Sequence, residues 1–167
     1  SDENTIGVHI RNGSVIKFMG KNAGTSNTID IKQYPDNYHL IPGMIDMHIH
    51  GSHSADVMDA TPEALQTIAD ALLAQGTTGF LPTTMTESQK NIEAALSNIA
   101  SFVKTQKTGA SILGIHLEGP FISPDYAGAQ DPDYMVSPDI ELFKHYQKLS
   151  NNLIKMVTVA PETDGAN

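Results

Sequence analysis

The sequence predicts an α/β fold: part of a (β/α)8 barrel, about its first four strands, preceded by a small antiparallel β-sandwich segment. Three observations carry this expectation. From Ile41 onward, apolar runs of strand length alternate with amphipathic helical stretches, the pattern of a parallel sheet with crossover helices. Before Leu40 the rhythm is instead that of short paired strands. Finally, polar residues suited to ligand binding gather at the C-terminal ends of successive strands, which favours a barrel over a small doubly wound sheet. The expected division is residues 1–40 for the sandwich segment and 41–167 for the barrel. Because a complete barrel takes about 250 residues, residues 41–167 are expected to be its first half, and the chain reads as truncated.

The elements follow in order. Thr5–Arg11 and Ser14–Met19 flank Asn12-Gly13, a two-residue hairpin signal. Thr28–Lys32 alternates again, with Ile29 and Ile31 on one side. Pro42–Gly51 is a hydrophobic strand, expected to be buried. Thr61-Pro62-Glu63 supplies an N-cap, a proline at the first helical position and an acid in the first turn. Leu65, Ile68, Ala69, Leu72 and Leu73 then follow at helical spacing, and Gly76 stops the helix. Thr77–Pro82 is a second buried strand. Thr86-Glu87-Ser88-Gln89 reads as a capping box opening a helix with Ile92, Ala95, Leu96, Ile99 and Val103. Ile112–Leu117 is the third strand, and Gly119–Val136 a loop. Ser137-Pro138-Asp139 opens a third helix carrying Ile140, Phe143 and Tyr146, and Leu153–Ala160 is the fourth strand. All three helical stripes are expected to face the core.

Composition excludes several functions. The chain has 167 residues, a formal net charge of −9 and 10 Lys and Arg together. That balance disfavours nucleic acid and anionic membranes as partners. There are no cysteines, so a metal would have to be held by His and carboxylates. The polar start Ser1-Asp2-Glu3-Asn4 has no signal-peptide profile, and no apolar run approaches membrane-spanning length. A cytoplasmic location is expected.

The chemistry centres on Asp46-Met47-His48-Ile49-His50. Side chains two apart on a strand share a face, so His48 and His50 project together at the strand's end, as a metal-ligand pair does. The plainer alternative is a pair of solvated or core histidines. Glu118, in His116-Leu117-Glu118-Gly119-Pro120-Phe121, is a carboxylate at another strand end and could bind one metal or bridge two. His116 shares its face, either as a supporting group or as a satisfied core histidine. His53, in the loop after the first strand, is a lesser candidate.

Pro42-Gly43-x-Ile45-Asp46-x-His48-x-His50-Gly51 resembles the opening metal strand of the amidohydrolase superfamily. Within it, Gly76-Thr77-Thr78 through Leu81-Pro82-Thr83-Thr84, Leu117-Glu118-Gly119-Pro120-Phe121, Gly128-Ala129-Gln130 and Thr158-Val159-Ala160-Pro161-Glu162 resemble the N-acetylglucosamine-6-phosphate deacetylases. The resemblance implies a metal-dependent barrel with a small β-sandwich, a homodimer as the full-length protein, and an amino-sugar phosphate as substrate. It implies that Glu118 binds metal, that His48 and His50 bind a second ion in members with two, and that Ala129 and Gln130 lie near the sugar. The metal would be one or two divalent ions, zinc first, with Fe or Mn also suited to these ligands. The resemblance also places the catalytic aspartate and further metal-binding histidines in the barrel's second half, so no catalytic acid or base is assigned within this chain. The chain alone is expected to be inactive, at most a weakly metal-binding, non-catalytic assembly module. A cyclic-amide hydrolase of the same superfamily is disfavoured: its bridging lysine belongs at the catalytic end of the fourth strand, whereas Lys155 lies at that strand's start.

Overall fold

The strands that carry the site run parallel and lie side by side in chain order. A computed structural model describes residues 7–11, 14–19, 38–39 and 41–166, the first two stretches as backbone only. The chain divides into two units, Ser1–Ile41 and Pro42–Asn167. In the first, β1 (Gly7–Arg11) and β2 (Ser14–Met19) pair antiparallel, Gly7 opposite Met19 and Arg11 opposite Ser14, with a bulge between His9 and Ile10. The expected turn at Asn12-Gly13 and the strand at Thr28–Lys32 lie outside the described residues.

In the second unit β3 (Met44–Ile49) pairs parallel with β6 (Thr77–Pro82), and β6 with the short β7 (Ser111–Ile112). β8 (Ile115–Glu118) pairs parallel with β9 (Ile154–Thr158). The expected third strand is therefore interrupted. β7 stays with β6, Leu113 N–H still donates to the Phe80 carbonyl, and Ile115 N–H turns to the Leu153 carbonyl. A parallel bridge between Thr83 and His116 restores the link beyond the break. The two-residue strands β4 (Gly51–Ser52) and β5 (Ala55–Asp56) form a tight hairpin directly after β3.

The helices follow local signals in part. α1 (Pro62–Ala74) begins where expected: Thr61 accepts from Ala64 N–H, Pro62 takes the first position, and Gly76 beyond its end has φ +90°. α2 (Gln89–Thr105) is capped by Ser88, which accepts from Asn91 N–H, and not by Thr86. The Thr86 N–H is taken by the side chain of Gln130 from a distant loop, so tertiary structure overrides the local box. α3 (Ile140–Leu149) is capped by Asp139, whose carboxylate accepts from Glu141 and Leu142 N–H.

The core is the layer between α1, α2 and one face of the sheet. Leu65, Ile68, Ile92, Leu96 and Ile99 are fully buried against Phe80, Ile115 and Leu117, each such side chain contributing about 1.5–3 kcal/mol of transfer free energy. Two expected core positions are not in it. Leu73 is 46% exposed and Ile140 64% exposed. Ile140, first in its helix, borders an apolar groove lined by Phe121, Phe143, Val157 and Val159. Nor is β3 buried: Met44, Ile45 and Met47 are each about 60% exposed. Among the described residues β3 has β6 as its one strand neighbour in the sheet, so it forms an edge, and apolar sequence does not bury an edge by itself. No described helix is long and apolar enough to cross a membrane.

Leu96→Ala should therefore lower unfolding free energy by about 2–5 kcal/mol in chemical denaturation. Ile140→Ala should change it by no more than about 0.5 kcal/mol.

Candidate metal centre

Parallel pairing of successive strands brings their C-terminal ends to one edge, and alternation decides what they present. In β3 and β8 the odd-numbered residues Ile49, Ile115 and Leu117 pack against the helices. The even-numbered His48, His116 and Glu118, with His50 just past β3, take the opposite face. There the donor atoms of His48, His50 and Glu118 all lie within 4.8 Å of one another. His48 Nε2 is 3.0 Å from His50 Nε2 and 3.1 Å from Glu118 Oε2, and His50 Nε2 is 3.3 Å from the same oxygen.

Both approaches to Glu118 Oε2 meet the distance of an ion pair but lack hydrogen-bond angles, so this buried oxygen has no hydrogen-bond partner. A buried carboxylate oxygen left this way costs free energy unless something else meets it. The histidines are prepared for such a third party. His50 Nδ1 lies 3.2 Å from the Thr83 carbonyl, which can only accept, so Nδ1 carries the hydrogen and Nε2 is the nitrogen turned to the cluster. Metal–N bonds of about 2.0–2.1 Å and metal–O bonds of about 2.0–2.2 Å put two ligands of one ion roughly 2.8–3.5 Å apart at angles between 90° and tetrahedral. The three observed separations fall in that range. The donor set, two imidazoles and a carboxylate, suits a borderline divalent ion such as zinc.

The supports come from Thr83 and Thr84, just past β6. Thr83 Oγ1 accepts from Ile49 N–H at 3.1 Å and lies 3.3 Å from His116 Nδ1, while Thr83 N–H donates to the Ile49 carbonyl. Thr84 Oγ1 accepts from Glu118 N–H at 3.1 Å and donates to the Glu118 carbonyl at 3.2 Å. Glu118 Oε1, the oxygen turned from the histidines, accepts from Gln130 Nε2 at 3.0 Å. After Glu118 the chain turns through Gly119 at φ +71°, where a Cβ would collide with the Thr86 hydroxyl.

His116 belongs to the neighbourhood but not to the ligand set. It is 2% exposed, its ring centroid is 4.9 Å from that of His48, and its two nitrogens face the Thr83 and Thr158 hydroxyls, the latter at 2.8 Å. Burial, then the nearby His48, lower its pKa, with Glu118 opposing. His53 is exposed and lies against Ser52 Oγ. His145, which no spacing singled out, lies 3.0 Å from Glu93 and joins α3 to α2. Lys155 donates to the Asn152 carbonyl near the start of β9, three residues before Thr158, which pairs with Glu118. Ala129 is exposed on the loop that holds Gln130, and Glu162 is exposed past β9. The sequence places Thr83 and Thr84 among the polar residues at strand ends; what spacing does not give is their role in supporting His50, His116 and Glu118.

The model of the amidohydrolase family matches residues 39–167. The chain belongs to the amidohydrolase family. Members use a divalent metal, and the His-His-Glu group of this amidohydrolase could bind one. It is 42% identical over 168 residues to an N-acetylglucosamine-6-phosphate deacetylase of Bacillus subtilis (strain 168), which covers 93% of this chain and 41% of the relative. It is 46% identical over 123 residues to the enzyme of that name from Lysinibacillus sphaericus, covering 74% of this chain and 32% of that one. Its fold is similar, with a TM-score of 0.75, 26% identity and coverage of 95% and 40%, to a Mycobacterium smegmatis N-acetyl-D-glucosamine-6-phosphate deacetylase. That structure is an aspartate-to-alanine mutant in complex with N-acetyl-D-glucosamine-6-phosphate. The amidohydrolase described here thus spans about two-fifths of the length of the B. subtilis and M. smegmatis proteins.

A histidine whose folded pKa is lowered costs stability in acid. As pH falls through about 6.5 the unfolded chain gains a proton at this position that the folded chain refuses. In metal-free protein, unfolding free energy should fall between pH 7 and 5.5, and His116→Asn should make that fall shallower in pH-resolved denaturant titrations.

Proposed function

We propose that this amidohydrolase acts, within its full barrel, as a metal-dependent deacetylase that converts N-acetylglucosamine 6-phosphate to glucosamine 6-phosphate and acetate in amino-sugar catabolism. The observation that carries the proposal is the convergence of His48, His50 and Glu118 within 3.0–3.3 Å around a carboxylate oxygen that no hydrogen bond satisfies. These three residues would hold the ion, with zinc preferred. When bound, a divalent ion supplies Lewis acidity toward an amide carbonyl and makes water acidic enough to act as a nucleophile near neutral pH.

The chain's own residues do the rest of the preparation. Glu118 brings the negative charge that offsets the cation, and neutral imidazoles keep the centre electron-poor. Thr83 fixes the tautomer of His50, and Thr84 fixes the main chain of Glu118. Ala129 and Gln130 are proposed to border the sugar. The family's proton-transferring aspartate, on a late barrel strand, is not assigned to any residue of 1–167, so these residues alone are proposed to bind the ion without turnover. The full-length protein is proposed to be a cytoplasmic homodimer. A bridging, modified lysine of cyclic-amide hydrolases finds no support, because Lys155 is at the wrong end of β9.

The test is acetate release from N-acetylglucosamine 6-phosphate by the full-length protein, alongside cyclic ureides. Glu118→Gln should slow deacetylation by about 100-fold or more, since a metal's charge stabilisation is worth several kcal/mol and 1.36 kcal/mol is tenfold. Ureide hydrolysis without acetate release would defeat the proposal.

A further inference from the structure

Glu118 has two chemically equivalent oxygens and three rotatable bonds, and it turns a single oxygen, Oε2, to both histidines. The main chain is fixed by Thr84, which accepts from the Glu118 N–H and donates to its carbonyl. The carboxylate is fixed from the other side by a residue of the loop between β8 and α3. Gln130 Oε1 accepts from the Thr86 N–H at 2.7 Å. A backbone N–H can only donate, so the amide orientation is settled, and the other end of the amide must be its NH2 group. That group reaches Glu118 Oε1 at 3.0 Å and Met85 Sδ at 3.4 Å. Both of its hydrogens are accounted for, as is the amide oxygen.

We infer that Gln130 is a positioning residue for the metal site: by holding Oε1 of Glu118 it presents Oε2, the oxygen 3.1 and 3.3 Å from His48 and His50, as the ligand. The inference rests on the reading that His48, His50 and Glu118 hold a divalent ion. It gives Gln130 a role separate from sugar contact, because its amide is occupied within the protein. It also ties the loop Gly119–Val136 to the centre through one side chain.

The experiment is a chelator-competition titration of the full-length protein with Zn(II), together with the visible spectrum of the Co(II) form. Gln130→Leu removes all three amide contacts, and Gln130→Glu keeps an acceptor for the Thr86 N–H while removing the donor to Glu118. Both should raise the Zn(II) dissociation constant about 10–100-fold, the range for loss of a group that orients a metal ligand, and both should alter the Co(II) spectrum. Circular dichroism of the metal-free forms checks that each variant folds. If Gln130→Leu is weakened but Gln130→Glu binds as tightly as the unaltered protein or tighter, the loop tie matters and the positioning role falls. If both variants match the unaltered protein in affinity and spectrum while KM for the sugar phosphate rises, the metal reading stands and Gln130 is a sugar contact alone. A folded, unaltered protein that takes up neither ion would overturn the metal reading and this inference with it.

Discussion

Thr83 and Thr84 are the constraint on which the C-terminal edge of the sheet depends. Between them they tie β3 to β6 through reciprocal contacts with Ile49, fix the ring of His50 through a carbonyl, buttress His116, and clamp both main-chain groups of Glu118. Each bond alone contributes only about 0.5–1.5 kcal/mol. Their effect is geometric: side chains arriving on two strands that are not neighbours are locked to a common third strand. Without that intermediary, the separation between His48 and Glu118 would depend on the relative slip of β3 and β8.

The division of labour between the two faces of the sheet follows from the same alternation. One face supplies the apolar layer that buries Phe80, Ile115 and Leu117 under α1 and α2, and the other supplies polar groups at the strand ends. Because β8 contributes both Leu117 to the core and Glu118 to the centre, the packing that stabilises the fold also sets where the carboxylate sits. At the break at Leu113-Gly114 this strand gains β9 as a neighbour, while the Thr83–His116 bridge keeps it tied to the end of β6.

Much of this was legible in the sequence where the cause is local. The start and stop of α1, the buried stripes of α1 and α2, the parallel strand β6 and the shared face of His48 and His50 all follow from spacing and capping chemistry. What the sequence could not announce was tertiary in origin. Thr86 has the right neighbours for a cap, but its N–H is claimed by a residue 44 positions later. Ile140 and Met47 have core-like side chains, yet burial depends on what lies opposite them. The hydroxyls around His116 and the amide on Glu118 are long-range pairings with no periodicity to betray them. Spacing did bring His116 to the right place but left its role open, and only its surroundings separate a buried, hydrogen-bonded imidazole from a ligand.

The way the donor atoms are distributed has a thermodynamic corollary. Two come from a short stretch at the end of β3 and the third from β8, far along the chain, so an ion gripping all three is a cross-brace spanning a long loop of polypeptide. Its affinity then counts toward conformational stability, since the unfolded chain offers no such grouping. Sequestering the ion would loosen β3 first, because among the described residues β6 is its one strand neighbour.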